Sequence, residues 1–132
     1  MADYADDLTI ADEAPLWRRI PPDWWVFDGN LGRVRPSSQA FSDHANGSPM
    51  SVVLGNEVLA EGRSSADVLA GHGGFCLASI TAALAREKEQ GIRRDPLPDE
   101  PAHAEVFGRK RMSVKNAFAK QATWVVPPPD TP

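Results

Sequence analysis

Trp24-Trp25-Val26-Phe27-Asp28-Gly29-Asn30-Leu31-Gly32-Arg33-Val34-Arg35 is the stretch that decides the fold. Two strand-forming runs, Trp24 to Phe27 and Arg33 to Arg35, flank a segment whose Asp-Gly and Asn residues supply the positive φ angles of a tight reversal. The stretch therefore reads as a β-hairpin. Upstream, Leu16 to Ile20 reads as a short strand broken by Pro21-Pro22-Asp23. Downstream, Met50 to Leu54 reads as another, entered from the turn formers Asn46-Gly47-Ser48-Pro49. Ser64 and Ser65, ahead of Asp67-Val68-Leu69, predict a short helix capped by a serine hydroxyl and ended at Gly71. Between Phe75 and Arg86 the alternation of Phe75, Leu77 and Ser79 gives way to a helical recurrence of Ile80, Leu84 and alanines. A strand followed by a helix is expected there, with Gly91 as a left-handed C-cap. Ala102 to Phe107 reads as a strand. Ser113 is expected to cap a helix running to about Ala122, with Val114, Ala117, Phe118 and Ala122 on one face, before a closing strand Trp124 to Val126. Strands interleaved with two or three helices predict a small single α+β domain with a short, mostly antiparallel sheet.

A chain of 132 residues, 42% hydrophobic and 24% charged, is long enough to bury one core and has an ordinary globular composition. The net charge of −4 is unevenly spread. Asp3, Asp6, Asp7, Asp12 and Glu13 crowd the first segment without a base, whereas Arg109, Lys110, Arg111, Lys115 and Lys120 cluster without an acid. Residues 1–14 are expected to be an acidic disordered tail, 15–126 the compact domain, and 127–132, opened by Pro127-Pro128-Pro129, a second tail. No apolar run has membrane-spanning length, and the acidic N-terminus is unlike a signal peptide. The single cysteine, Cys76, fits a reducing compartment. A cytoplasmic location without membrane contact is the expectation.

The richest concentration of polar chemistry follows the hairpin, in Arg35-Pro36-Ser37-Ser38 and on to Asp43 and His44. Arg35 offers a forked pair of donors to a phosphate or carboxylate, and Ser37, Ser38 and Asp43 are positioned to complete an anion or ligand shell. Serines after a proline are also common turn and cap residues. In Ala102-His103-Ala104-Glu105-Val106-Phe107, strand alternation puts His103 and Glu105 on one face, an acid–base pair and a candidate catalytic element. The alternative is that both line a solvent face while Ala102, Ala104 and Val106 pack inward.

His44, His72 and His103 are scattered, and neither a His-Glu-x-x-His helix nor a Cys-x-x-Cys knuckle is present, so no metal site is expected. No cofactor follows from the sequence, which lacks the phosphate-binding and dinucleotide-binding glycine patterns. The order formed by the strand arginines of Leu16-Trp17-Arg18-Arg19-Ile20, then Ser37-Ser38, then Glu105 resembles the Arg, Ser, Glu order of ADP-ribosyltransferases. In that family a Glu or Gln usually stands two positions before the catalytic Glu, where this chain has His103. Gly71-His72-Gly73-Gly74 is similar to the oxyanion loop of lipase-like hydrolases, but no Gly-x-Ser-x-Gly elbow accompanies it.

Trp24 and Trp25 are adjacent, so on a strand their indoles leave opposite faces and only one enters a one-sided core. The other suits a partner surface. Two classes of function follow. The leading one is a cytosolic interaction module that docks a protein partner through Trp24, Trp25, Arg109, Lys110, Arg111 and Lys115. The alternative is a small enzyme or nucleotide-binding domain built on Arg35, Ser37, Ser38, Asp43, His103 and Glu105. Nucleic-acid binding through residues 109–120 is a further possibility, opposed by a pI near 5.3.

Overall fold

The computed structural model describes residues 4–129. Eight strands and four short α-helices follow one another as β1 (Pro15–Ile20), β2 (Trp25–Asp28), β3 (Arg33–Pro36), β4 (Met50–Leu54), α1 (Gly55–Ala60), α2 (Ser65–Val68), β5 (Cys76–Thr81), α3 (Ala82–Glu87), β6 (Gly91–Arg94), β7 (His103–Phe107), α4 (Met112–Gln121) and β8 (Thr123–Val126). A 3-10 turn, Ser38–Phe41, lies between β3 and β4. Six strands form one sheet in the order β6-β7-β4-β1-β5-β8 with every neighbour antiparallel, and β2 and β3 form a separate hairpin. The domain is α+β, with one more α-helix than the two or three expected.

Strand alternation divides the sheet into two chemically distinct faces. Leu16 and Ile20 of β1 share one face with Val52 and Leu54 of β4 and Ala104 and Val106 of β7. Arg18 points the same way and reaches the carbonyl of Ala40, which puts the 3-10 turn on this face. Helix α4 packs beside that turn, Phe118 meeting Phe41 edge-on with ring centroids 5.9 Å apart, and both rings are fully buried. Each such aromatic stabilises the fold by roughly 2–3 kcal/mol through burial. The other face carries Trp17, Arg19, Ser51, Val53, His103 and Glu105. Arg19 donates from Nε to the Val68 carbonyl, which fixes α2 over this face.

Four local expectations are corrected. The helix after β5 ends at Glu87, and its reversal uses Glu89, at φ 62°, while Gly91 lies inside β6. Ser113 is not the cap of α4: Arg111 occupies the N-cap position, and no side chain caps the helix. His103 and Glu105 are both buried, because the second sheet face is covered rather than solvated. The acidic segment is not a free tail over residues 4–14: Ile10 is buried, Asp7 N donates to Ile92 O at 2.8 Å, and Asp6 accepts from Ile92 N at 2.9 Å. Its carboxylates meet Arg86 and Arg94, so basic side chains of the domain neutralise the acidic run. Residues 1–3 and 130–132 lie outside the described residues. Among the described residues no helix is long and apolar enough to cross a membrane.

Candidate functional site

The polar residues after the hairpin find internal partners. Arg35 donates from Nε to Asp28 Oδ2 at 2.7 Å, closing the hairpin and holding the Asp28 carboxyl below the usual carboxylate range. Ser37 flanks the 3-10 turn without a side-chain cap bond, and Ser38 Oγ bonds Asn116 Oδ1 on α4. Asp43 Oδ1 accepts from Met50 N at 3.0 Å and from Lys110 Nζ at 2.7 Å. Arg18 donates to the carbonyls of Ala40, Ser51 and Ser42, and burial brings its pKa down to about 10. These groups fasten the loop to the domain.

The two faces of the sheet also separate the residues behind the resemblance to ADP-ribosyltransferases. Ser38 bonds the α4 side, whereas Glu105 lies on the opposite face and is held by Arg93, whose Nη2 is 2.6 Å from Glu105 Oε1. Arg93 in turn lies over the Tyr4 ring, 4.6 Å from its centroid. His103 does not use Glu105 as its partner either.

The partners of His103 come from elsewhere in the chain. Its Nδ1 donates to the Asp95 main-chain carbonyl at 2.9 Å, with the Asp95 carboxylate Oδ2 at 3.2 Å. Both neighbours are acceptors, so the Nδ1 proton is retained and Nε2 of the neutral ring is left as an acceptor. Ser51 Oγ stands 3.0 Å from that Nε2, and His44 Nε2 stands 2.9 Å from the same Oγ. Ser51 has one hydroxyl proton: it donates to His103 and accepts from His44. The chain His44–Ser51–His103–Asp95 thus runs with one polarity. It borders a cavity of about 40 Å3 lined by Trp17, Arg19, Ser51, Val53 and His103. Arg19 spends its Nε on Val68; among the described residues its terminal nitrogens make no hydrogen bond. The β4–β7 register, Val53 opposite His103 and Ser51 opposite Glu105, is what assembles this centre. Sequence reading named His103 as a catalytic candidate and His44 only as part of the polar stretch after the hairpin. Ser51, His44 and Asp95 carry no local motif.

A second region is a surface. The hairpin exposes Trp24 (44%), Val26 (43%), Phe27 (69%) and Leu31 (42%), while Trp25 packs against the core. Arg33 pins the hairpin to the end of α4 through the Lys120 and Ala122 carbonyls at 2.8 and 3.3 Å, and Trp124 Nε1 donates to Val34 O at 3.1 Å. At the start of α4, Arg109 and Arg111 are exposed and Lys115 is half-buried. Lys110 does not belong to this surface: its side chain is only 3% exposed, and Nζ is held by Asp43 and the Val106 carbonyl. Arg109 and Arg111 also border a cavity of about 530 Å3 with Lys88, Glu87 and Glu89, so its wall is of mixed charge. No family model, curated protein or solved structure matches this chain.

Proposed function

We propose that the chain is an interaction module that docks a protein partner through the exposed apolar side chains of the β2–β3 hairpin. The exposure of Trp24, Val26, Phe27 and Leu31 on one short hairpin carries this reading. Clustered apolar side chains rimmed by charge are a common signature of a contact surface. The hairpin's attachment to α4 and β8 supports it further, because a rigid surface loses little entropy on docking. The complementary partner presents apolar side chains to the hairpin. We place the module in the cytoplasm, supported by a lone cysteine whose thiol is buried in the core.

Nucleic acid is the poorer fit for residues 109–120, since Lys110 is internal and Glu87 and Glu89 stand beside the remaining arginines. The test is affinity capture with the wild-type chain, Phe27→Asp, and Leu59→Asp as a control at an exposed apolar position off the hairpin. A stoichiometric partner retained by the control and lost with Phe27→Asp is expected. A monomeric protein with no stoichiometric partner, or a partner indifferent to Phe27→Asp, overturns the reading.

A further inference from the structure

The arrangement of Asp95, His103 and Ser51 has the connectivity of an acid–base–nucleophile relay. The Asp95 main-chain carbonyl holds Nδ1–H, with a carboxylate oxygen of the same residue 3.2 Å from that nitrogen, and the opposite ring nitrogen faces a hydroxyl 3.0 Å away. That hydroxyl lines a small cavity together with a cationic side chain whose terminal nitrogens are unspent. Nucleophile, base and orienting group in hydrogen-bond sequence are the geometric criteria for an activated serine, whatever their order in the chain. We propose that Ser51 is the nucleophile of an esterase site for short-chain acyl esters, with His103 as its base and Asp95 as a positioning residue.

The chemistry balances as hydrolysis of an ester by water. Ser51 Oγ attacks the acyl carbon while its proton passes to His103 Nε2, and the tetrahedral oxyanion is met by the Arg19 guanidinium. The carbon–oxygen bond to the alcohol breaks, and His103 returns the proton to the departing alkoxide. Water then attacks the acyl-serine with His103 taking its proton; the acid leaves, and Ser51 regains its hydrogen. His44 donates to Oγ and so turns the Ser51 proton toward His103, a positioning role. The acyl class follows from size. The cavity offers about 40 Å3 to the centres of water-sized groups, room for a few substrate atoms. An acetyl group is the acyl size that suits this space between Trp17 and Val53.

The experiment uses the full chain with p-nitrophenyl acetate, butyrate and octanoate, and separately with a fluorophosphonate. The latter forms an Oγ–phosphorus bond with loss of fluoride and is mapped by mass spectrometry. The label is expected on Ser51. Ser51→Ala and His103→Gln are expected to lower kcat/KM for the acetate about 1,000-fold, a loss of the size seen for members of such relays. The butyrate and octanoate should be at least tenfold poorer substrates. His44→Gln, which keeps an N–H donor, should retain more activity than His44→Ala. Trp24→Ala, on the docking surface, should leave hydrolysis unchanged, so the two proposals fail independently. Fluorophosphonate on another residue or on none, acetate hydrolysis by Ser51→Ala within twofold of wild type, or equal use of octanoate each overturns the assignment. Labelling of wild-type protein does not depend on whether a variant folds.

Discussion

Phe107 lies with its ring directly over the α-carbon of Gly91, its cross-strand partner, leaving no room for a β-carbon there. Tyr4 stacks on the same ring, with centroids 5.3 Å apart. The glycine therefore serves close approach rather than a helix cap. Gly91→Ala is expected to lower stability by about 1–3 kcal/mol, because the ring must leave its place to admit a methyl group. Chemical denaturation of the variant checks this. Phe107→Leu in the Gly91→Ala background should recover part of the loss, since the smaller side chain makes room.

Arg86 holds the N-terminal segment at three points: Asp6 at 2.9 Å, Asp12 at 2.7 Å and the Asp7 carbonyl at 3.0 Å. Removing it leaves Ile10, the bonds of Asp6 and Asp7 to Ile92, the Asp7–Arg94 ion pair and the Ala83–Asp12 backbone bond among the remaining anchors. Arg86→Ala should cost about 1–2 kcal/mol, as expected for charge-assisted bonds at a partly exposed site. Hydrogen exchange at the Asp7 and Ile10 amides should accelerate by an order of magnitude or more while exchange in β4 and β7 changes little. Uniform acceleration would mean that the segment is integral to the global fold.

The elements written in local chemistry were legible before the structure. The hairpin turn, the apolar run of β4 after its turn formers and the Ser64 cap all declare themselves over a few neighbouring residues. Helix α1 did not, because it opens on glycine and its N-cap position holds Leu54, which offers no hydroxyl. Strand β6 did not either. Gly-Ile-Arg-Arg is too short and polar to show alternation, and it becomes a strand only because β7 pairs with it. The docked acidic segment was misread for a related reason: an excess of carboxylates looks solvated until Arg86 and Arg94, some 80 residues away, are brought beside it. The same holds at the polar centre. His103 announced itself by its strand position, yet its hydroxyl partner is 52 residues earlier and arrives only through the β4–β7 register.

Cys76 is buried on β5, and burial pushes its thiol pKa up. The thiolate is the reactive species, so both access and ionisation protect the native side chain. A disulfide-exchange reagent should label the native protein at least 100-fold more slowly than the urea-unfolded chain. Native labelling should also track global unfolding as denaturant is added. Rapid native labelling would indicate a local opening of β5 or its neighbour β8.

Buried Glu100 forms an ion pair with the partly exposed Arg63, Nη2 to Oε2 at 2.5 Å, and also accepts from Ala102 N at 3.1 Å. The Arg63 bond holds its carboxyl below the usual carboxylate range. The folded state therefore binds this proton less readily than the unfolded chain, so the contribution to stability is fully present above about pH 4.5 and is lost as pH falls through the lower, folded-state pKa. Asp28, lowered by its bond to Arg35, and Asp7, lowered by Thr9, act in the same direction at somewhat lower pH. The melting temperature should be level from neutrality to about pH 5 and decline steeply below it. In Glu100→Gln the melting temperature should be lower at pH 7 and its decline on acidification shallower, because one of the titrating carboxyls is gone. Arg63→Ala should be the more damaging change at neutral pH, by roughly 2–4 kcal/mol, since it strands a buried carboxylate. That deficit should shrink as acid neutralises the carboxylate, and the two melting curves should converge as pH falls through the folded-state pKa of Glu100. Parallel curves at all pH values would show that the pair is not what acid breaks.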